Sequence, residues 1–391
     1  MLLRNPTLLL LFCGQALYWS CSLIGITLTA LVGVQLAPLN SLATLPLPLA
    51  LLVLGNLLAV QPLSHFMQRH GRRPGLMLGA GGGVLGGLVC AAGVWTGDFL
   101  WFCLGALGIG VYQASAMYYR FAALEAVDAG RKGRASAYVL AGGVLAALLA
   151  PSLALWSRNA LAQPFVGAYL LIAVLALAGL LLMALLREGQ APRPARLAWR
   201  DIGGLLRRPV VRAAIACTAT GHGLMILIMN ATPLAMSFCG LPLEQSSRVI
   251  QWHVLGMFLP AFFAGPLVDR IGNRRVALLG AFLLAASAGI ALDGQSVTHF
   301  LLSSLALGSG WNLMLIAGTT LLGEGHAESE RGAAQGLMEQ GNSLVAALMS
   351  FGSGALITSL GWNAVNLLVW PALLVALALL WPVRRTRTLS R

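Results

Sequence analysis

Two residues of opposite charge, Arg120 and Glu339, stand inside long apolar stretches of this sequence. A charged side chain within lipid is costly, so it normally faces a partner, the interior of a helix bundle or a water-filled cavity. Glu339 shares one helical face with Gln335 and Asn342, four residues before it and three after it. We hypothesise that Arg120 and Glu339 pair with each other. The alternative for Arg120 is that its long side chain reaches the headgroups at the nearby end of its helix.

Two histidines, His222 and His253, stand in other apolar stretches. Histidine changes charge near neutral pH, which suits proton transfer, although a histidine within a helix bundle can equally be a hydrogen-bonded packing residue. The His and Cys residues show no metal-ligand spacing, and no glycine-rich phosphate loop is present. Neither paired carboxylates nor a histidine cluster indicates a catalytic site. We therefore expect no enzymatic activity, no metal and no cofactor.

The composition indicates which elements must position these residues. Of the 391 residues, 58% are apolar and only 9% are charged, and the mean hydropathy is +0.82. Soluble domains carry about 25% charged residues. A helix needs about 20 apolar residues to cross a bilayer, and windows of that length recur along the chain. They predict an all-α membrane protein with twelve spans near residues 7–31, 43–64, 76–96, 99–123, 135–156, 165–186, 211–236, 247–268, 276–293, 298–322, 333–358 and 362–383.

The positive charges predict the orientation of the spans. The net charge is +13, and almost all of the 25 Lys and Arg residues fall near the termini, in or beside the segment 187–209, or after even-numbered spans. On the opposite side lie only Arg158 and Arg248. Cytoplasmic loops are enriched in Lys and Arg, so we expect both termini in the cytoplasm. Nucleic acid is not needed to explain the basic charge.

The two halves of the chain repeat each other. The segment from Ser64 to Arg73 aligns without a gap with the segment from Gly265 to Arg274, at an offset of 201 residues (265 minus 64). An even number of spans separates the two copies, so both point the same way in the membrane. The repeat predicts two parallel six-helix bundles, residues 1–186 and 210–391, joined by a cytoplasmic linker at 187–209. Transporters with a central site can be built in this way.

The second copy of the repeat resembles the loop signature G-x-L-x-D-R-x-G-R-R of the major facilitator superfamily. In the first copy, Gln68 replaces the acid and Ser64 replaces the leading glycine. The resemblance implies that the loop acid locks the cytoplasmic face when the halves close, so Asp269 should carry more of this lock than Gln68. The alternative is that both loops only set the topology. The matching residues are Gly71, Arg72 and Arg73 in the first copy and Gly265, Asp269, Arg270, Gly272, Arg274 and Arg275 in the second.

In the family that this chain resembles, spans 1, 4, 7 and 10 line a central cavity, and the halves meet at a cytoplasmic gate. The resemblance places Arg120 and Glu339 across that gate, with His222 and His253 as candidates for coupling to protons. It also implies that polar and aromatic residues on the four spans contact the substrate, although each could equally join two helices. The candidate cavity residues are Gln15, Tyr18, Trp19, Tyr112, Gln113, Tyr119, His222, Asn230, Trp311 and Asn312.

The resemblance implies a secondary active transporter that moves a small polar or aromatic molecule by rocking of its two halves. Protons are the candidate coupling ion, and symport, antiport and facilitative uniport all stay open. A non-transporting sensor on the same fold would need regulatory sequence, and a membrane-embedded enzyme would need a catalytic cluster. We expect a monomer in a bacterial inner membrane, with a small-molecule substrate and the lipid bilayer as its partners and no nucleic acid.

Overall fold

The computed structural model describes residues 5–36, 47–186 and 199–383. Within these ranges the chain forms α-helices and short 3-10 turns and contains no β-strand. The predicted all-α fold class is confirmed. The helices of the first half are α1 (Pro6–Leu36), α2 (Leu47–His70), α3 (Arg72–Thr96), α4 (Phe99–Ala116), α5 (Tyr119–Glu125), α6 (Lys132–Ala141), α7 (Gly143–Arg158) and α8 (Val166–Ala184).

The second half begins with a short helix inside the predicted linker. Of that linker, residues 187–198 lie outside the described ranges, and α9 covers Trp199–Arg207. The linker is therefore partly helical, which its arginines and prolines did not indicate. The remaining helices are α10 (Pro209–Phe238), α11 (Leu243–Phe258), α12 (Ala261–Ile271), α13 (Asn273–Asp293), α14 (Val297–Leu322), α15 (Arg331–Leu367) and α16 (Val369–Leu380).

Eleven helical segments of the described chain are long and apolar enough to cross a membrane. A twelfth span follows Gly361, whose φ of +80° breaks α15 and favours a glycine there. Span 2 was predicted to end at residue 64 but runs to His70, because its helix continues beyond its apolar part. Seven spans are single helices: span 1 is α1, span 2 is α2, span 3 is α3, span 6 is α8, span 7 is α10, span 9 is α13 and span 10 is α14. Three spans are made of two helices each: span 4 is α4 with α5, span 5 is α6 with α7, and span 8 is α11 with α12. Span 11 is α15 up to Gly361, and span 12 is the rest of α15 with α16.

Glycines let spans 3 and 4 pack backbone against backbone. A methyl group on Gly86 of span 3 would lie 2.5 Å from the backbone nitrogen of Ile109. A methyl group on Gly105 of span 4 would lie 2.4 Å from the backbone nitrogen of Cys90. Small residues permit such close approach in membranes, where dispersion contacts replace the hydrophobic effect as the force between helices. Span 4, which carries Arg120, is therefore held rigidly in the first half.

The two ends of the bundle differ in their charge, while both expose tryptophan, including Trp381 at the end of span 12. We call one end the arginine face: spans 2, 4, 8 and 10 end there, and spans 3, 5, 7, 9 and 11 begin there. The opposite end exposes tryptophans at the end of span 3, the start of span 4 and the end of span 5, namely Trp95, Trp101 and Trp156. Tryptophan concentrates where a bilayer meets water, so these side chains mark one edge of the apolar belt.

Hydrogen bonds join the two halves between the midplane and the arginine face. The amide of Asn56 in span 2 donates to Ser343 Oγ in span 11 over 3.1 Å. Further along the same two helices, Ser64 Oγ donates to the carbonyl of Gly332 over 3.1 Å. Among the described residues, no hydrogen bond joins the halves nearer the opposite face. The structure is thus closed at the arginine face.

Candidate functional site

Three aromatic rings from both halves meet near the middle of the spans. Trp19 of span 1 lies with its ring centroid 4.9 Å from that of Phe258 in span 8 and 6.5 Å from that of Trp311 in span 10. Phe258 and Trp311 are 6.1 Å apart. Trp19 is thirteen residues into α1, about 20 Å along its axis at 1.5 Å per residue. The rings therefore occupy the midplane position that substrates occupy in transporters built from repeats.

Arg120 and Glu339 form an ion pair beside these rings. The guanidinium Nη2 donates to Glu339 Oε1, and only 3% of Arg120 and 1% of Glu339 are exposed. Asn342 adds a hydrogen bond to the same carboxylate oxygen over 3.4 Å. The structure thus shows the pairing that the hypothesis expects, and the burial of Arg120 rules out the alternative that it reaches the headgroups. The break of span 4 between α4 and α5 puts Arg120 in the first turn of α5.

His222 of span 7 holds Trp311 in place. The indole Nε1–H of Trp311 donates to His222 Nδ1 over 3.1 Å. An acceptor nitrogen carries no proton, so the imidazole is neutral in this arrangement, with its proton on Nε2. His222 and Trp311 line a small cavity together with Arg120 and Glu339, with room for roughly one water molecule. The sequence predicted all four residues as site residues, and the structure brings them together.

Three tyrosines expected in the cavity, Tyr18, Tyr112 and Tyr119, lie instead within the first half. The Tyr112 hydroxyl sits 2.5 Å from where a methyl group of Gly179 in span 6 would be. A methyl group on Gly14 of span 1 would lie 3.5 Å from the ring of Tyr119. The ring centroid of Tyr18 is 5.5 Å from that of Tyr112. The expectation for the three tyrosines is corrected, because they pack inside their own six-helix bundle and none of them lines the cavity.

Three polar residues of the second half join helices rather than line the cavity. Asn312 donates to the carbonyl of Met257 over 2.6 Å, which ties span 10 to span 8. His253 bonds the carbonyl of Ser304 over 2.9 Å between the same two spans. Exposed Asn230 donates to Ser350 of span 11 over 3.3 Å. The structure does not bring Asn312, Asn230 and His253 to the cavity, and their bonding supports the packing interpretation.

Two glutamines expected at the site also lie away from the cavity lining, and five lining residues were not predicted: Asn56, Met117, Leu315, Asn342 and Ser343. Gln15 is buried in span 1 and Gln113 is half-buried in span 4, and within the described chain neither lines the cavity. Asn56 of span 2 does line it, although the prediction covered spans 1, 4, 7 and 10 alone. An amide isolated in the apolar run of residues 50–60 is the signal that could have found it.

At the arginine face, Asp269 of the second loop pairs across the two halves. Arg134 Nε in span 5 donates to Asp269 Oδ2 over 2.7 Å. Beside this pair, a methyl group on Gly265 would lie 2.7 Å from the Cα of Arg134, so the backbones of spans 5 and 8 touch. The resemblance implied that this acid locks the two halves together, and the structure gives it an arginine of the other half as its partner. We call the contact of spans 5 and 8 the charged seam.

The equivalent contact between spans 2 and 11 is neutral at the position of the loop acid, and we call it the neutral seam. Gln68 donates to Ser64 Oγ over 3.2 Å, and Gly332 packs against the Gln68 side chain. Next to it, Arg72 binds Glu125 over 2.7 Å and donates to Gln335 of span 11. Gln68 thus contributes no charge to the lock.

The other signature residues shape the two loops or face outward. Gly71 and Gly272 have φ values of +97° and +86°, which is the left-handed region where a Cβ is disfavoured. Arg274 lies over the ring of Trp381, 5.4 Å from its centroid. Arg73, Arg270 and Arg275 are exposed at the arginine face, where they fit the topology-setting role that the alternative interpretation gives to both loops.

Comparisons with known proteins cover nearly the whole chain. The sequence model of the Major Facilitator Superfamily matches residues 8–251 and 246–391. The riboflavin transporter RfnT of Brucella anthropi is 39% identical over 380 residues, which are 96% of this chain and 94% of the relative. The uncharacterized MFS-type transporter YddS of Bacillus subtilis is 30% identical over 85% of this chain and 79% of its own length.

Solved structures agree in fold at low sequence identity. The human organic anion transporter MFSD10 (TETRAN) superposes with a TM-score of 0.77 at 14% identity, over 96% of this chain and 99% of that one. The fucose:proton symporter FucP of E. coli gives 0.75 at 15% identity, over 98% and 100%. Together with the twelve spans and the two-fold repeat, these matches confirm the family that the loop signature indicated. The chain belongs to the major facilitator superfamily of secondary transporters.

Proposed function

We propose that this protein transports riboflavin or a closely similar molecule, that is, a planar heteroaromatic ring carrying a polar chain. The observation that carries the proposal is the midplane cluster of Trp19, Phe258 and Trp311 beside the polar cavity. Aromatic faces suit a planar ring system, and buried polar groups suit a polyhydroxyl chain. The 39% identity to a riboflavin transporter over almost the full length supports the same substrate class.

We further propose that the arginine face is cytoplasmic, with both termini on that side, in a bacterial inner membrane. The positive-inside rule supports this orientation, and the tryptophans exposed at the other end fit the outer edge of the apolar belt. In this orientation the described state is closed to the cytoplasm. In this state a substrate would reach the midplane from outside.

Alternating access would then proceed by rocking of the halves 1–186 and 210–391 about the central site. Arg120 belongs to the first half and Glu339 to the second, so opening toward the cytoplasm must separate them. Stranding one charge of such a pair costs roughly 3–5 kcal/mol. The pair would therefore act as a gate that favours the closed state until another interaction compensates its loss. We propose that one chain suffices for this cycle, as a monomer.

Protonation of Glu339 would supply that compensation, because a neutral carboxyl releases Arg120 at lower cost. Proton symport follows as the proposed coupling, with facilitative uniport as the alternative. The charged pair lies inside the cavity, where a proton and a substrate could compete or cooperate for the same groups. A secondary transporter couples its cargo to an ion through such shared contacts.

The direct test measures uptake of labelled riboflavin into proteoliposomes that contain the purified protein. We expect saturable uptake that other flavins inhibit and that an inward proton gradient accelerates. Protein-free liposomes serve as the control, and a protonophore should abolish the acceleration. Uptake that the gradient does not change would establish the uniporter. Absence of riboflavin uptake in both conditions would overturn the proposed substrate.

A further inference from the structure

The two tryptophans of the midplane cluster differ in what holds them. Trp311 is fixed, because its Nε1–H is bonded to His222 Nδ1 over 3.1 Å. Among the described residues, the Nε1–H of Trp19 has no acceptor, although only 7% of Trp19 is exposed. A buried donor without a partner is costly and normally signals a missing partner. Trp19 thus offers a free hydrogen-bond donor to the space between the halves.

The two indoles are already spaced for a planar ring, but they are not parallel. Their ring centroids lie 6.5 Å apart and their planes are at 86°. A planar ring stacked between two parallel indoles needs about 3.5 Å on each side, or roughly 7 Å in all. Turning one indole by about a right angle would therefore create a slot with little further separation of the helices. The bond to His222 fixes Trp311, so Trp19, whose Nε1–H has no partner among the described residues, is the indole that would turn as the halves part.

Phe258 forms the fixed end of this arrangement. Its ring packs against Gly143 of span 5, where a methyl group would lie 2.5 Å from Phe258 Cδ1. It also contacts both tryptophans edge-on, with interplanar angles of 64° and 89°. Phe258 cannot move toward span 5, so in the closed state it blocks the slot from that side. Among the described residues, no hydrogen bond fixes the indole of Trp19 at the cluster.

We propose that Trp19 and Trp311 form the two walls of a slot for the planar ring of the substrate, with His222 as the residue that positions Trp311. In the loaded state Trp19 lies parallel to Trp311 and donates its Nε1–H to an acceptor on the edge of the ring. The slot deepens the proposed function and rests on it, because it names the part of the site that recognises the ring. The ribityl chain is left to the polar residues around the small cavity, which must widen as the halves part to admit it.

The test is a fluorescence titration of the purified full-length protein with riboflavin, because stacking on an indole quenches flavin emission. Lumichrome, the corresponding planar alloxazine ring without the ribityl chain, and ribitol, the chain without the ring, serve as the other two probes. The variants are Trp19→Phe, Trp311→Ala, His222→Leu and His222→Asn. Trp362→Phe is the matched control, since Trp362 is buried and bonded to the Ala291 carbonyl, away from the cluster.

We expect Trp311→Ala to weaken riboflavin and lumichrome binding about 10- to 100-fold, the range for loss of an aromatic stacking partner. Trp19→Phe keeps an aromatic wall of the slot but loses the indole N–H donor. We therefore expect the affinity for riboflavin to fall about fivefold, which corresponds to one ordinary hydrogen bond. His222→Leu should raise the KM for uptake with little change in the maximal rate. His222→Asn should restore binding, because an amide oxygen can accept from the Trp311 indole.

The outcomes separate the slot from the proposed function. If the wild type binds and transports riboflavin while Trp19→Phe and Trp311→Ala bind it normally with normal quenching, the slot is wrong and the function stands. If His222→Leu and His222→Asn bind riboflavin with equal affinity, His222 does not position Trp311. If the wild type binds neither riboflavin nor lumichrome, the substrate proposal fails and the slot fails with it. Trp362→Phe should bind both as the wild type does.

Discussion

Arg134 of the first half and Asp269 of the second are bonded across the arginine face, with 2.7 Å between Nε and Oδ2. The equivalent residue of the other repeat, Gln68, bonds Ser64 of its own helix. The two loops have the same backbone conformation at Gly71 and Gly272, so the difference lies in the side chains. The lock between the halves is therefore asymmetric, and this asymmetry can be tested.

Replacing Asp269 should weaken the closed state. Asp269→Asn removes the charge from the pair with Arg134, and we expect riboflavin uptake to fall several-fold while insertion stays normal, because inward-open conformations gain population. Gln68→Asp is the matched change on the other loop and should be tolerated, since a carboxylate there would lie near the N-terminus of span 11. Uptake assays with surface-expression controls check both. Normal turnover of Asp269→Asn would make the loop a topology device only.

The pair of Arg120 and Glu339 should respond to charge reversal. Arg120→Ala or Glu339→Ala leaves one buried charge without its partner, and the expected cost of 3–5 kcal/mol should reduce uptake at least tenfold. The double variant Arg120→Glu with Glu339→Arg restores opposite charges and should recover part of the activity. Uptake per inserted molecule is the measurement. A double variant no better than either single variant would argue against a direct pair.

The pH dependence of uptake should follow the cavity residues rather than histidines elsewhere. Glu339→Gln keeps a hydrogen-bonding side chain near Arg120 but cannot titrate, so uptake should lose much of its response to pH. His222→Asn should likewise flatten the profile. His253→Gln is the control, because His253 bonds the Ser304 carbonyl away from the cavity. Wild-type pH profiles in both Glu339→Gln and His222→Asn would exclude coupling through these residues.

Packing of spans 3 and 4 should depend on their glycines. In Gly105→Ala the new methyl group would meet the Cys90 backbone at 2.4 Å, so the helices must separate, and we expect a loss of about 1–3 kcal/mol from overpacking. Gly289→Ala in span 9 is the control, since nothing described lies within 4 Å of its added methyl group. Thermal unfolding in detergent measures both. A Tm for Gly105→Ala equal to that of Gly289→Ala would contradict this packing.

The sequence predicts the spans and the charge pair well because both follow from one strong constraint, the cost of polar groups in lipid. Because Arg120 and Glu339 both lie inside spans, pairing with each other keeps both charges away from lipid. The same constraint predicts only that Tyr112 and Asn312 face away from lipid. It does not predict whether they face the central cavity or the interior of their own six-helix bundle. Those two residues lie within their own halves, and the contacts that place them depend on neighbouring spans that the sequence does not identify.

Hydropathy locates a helix break only to within a few residues. The sequence predicts that spans 11 and 12 divide between residues 358 and 362, and the structure places the break at Gly361, whose φ is +80°. The sequence does not predict Asn56 of span 2, because the family resemblance implies a cavity lined by spans 1, 4, 7 and 10. The cavity of the closed state is also lined by residues of spans 2 and 11. The state of the transporter decides which spans line the site.

The charged contacts between the halves have a consequence for how opening responds to salt. Attraction between Arg134 and Asp269 is screened by salt, with a Debye length of about 8 Å at physiological ionic strength. Beside the neutral seam, Arg331 at the start of span 11 also pairs with Glu125 of the first half over 3.3 Å, whereas the bond from Ser64 to the Gly332 carbonyl joins uncharged groups. Raising the internal salt concentration of a vesicle should therefore loosen both sides of the arginine face. The rate of opening acquires an ionic-strength dependence, and Asp269→Asn should remove only the part of it that arises between spans 5 and 8.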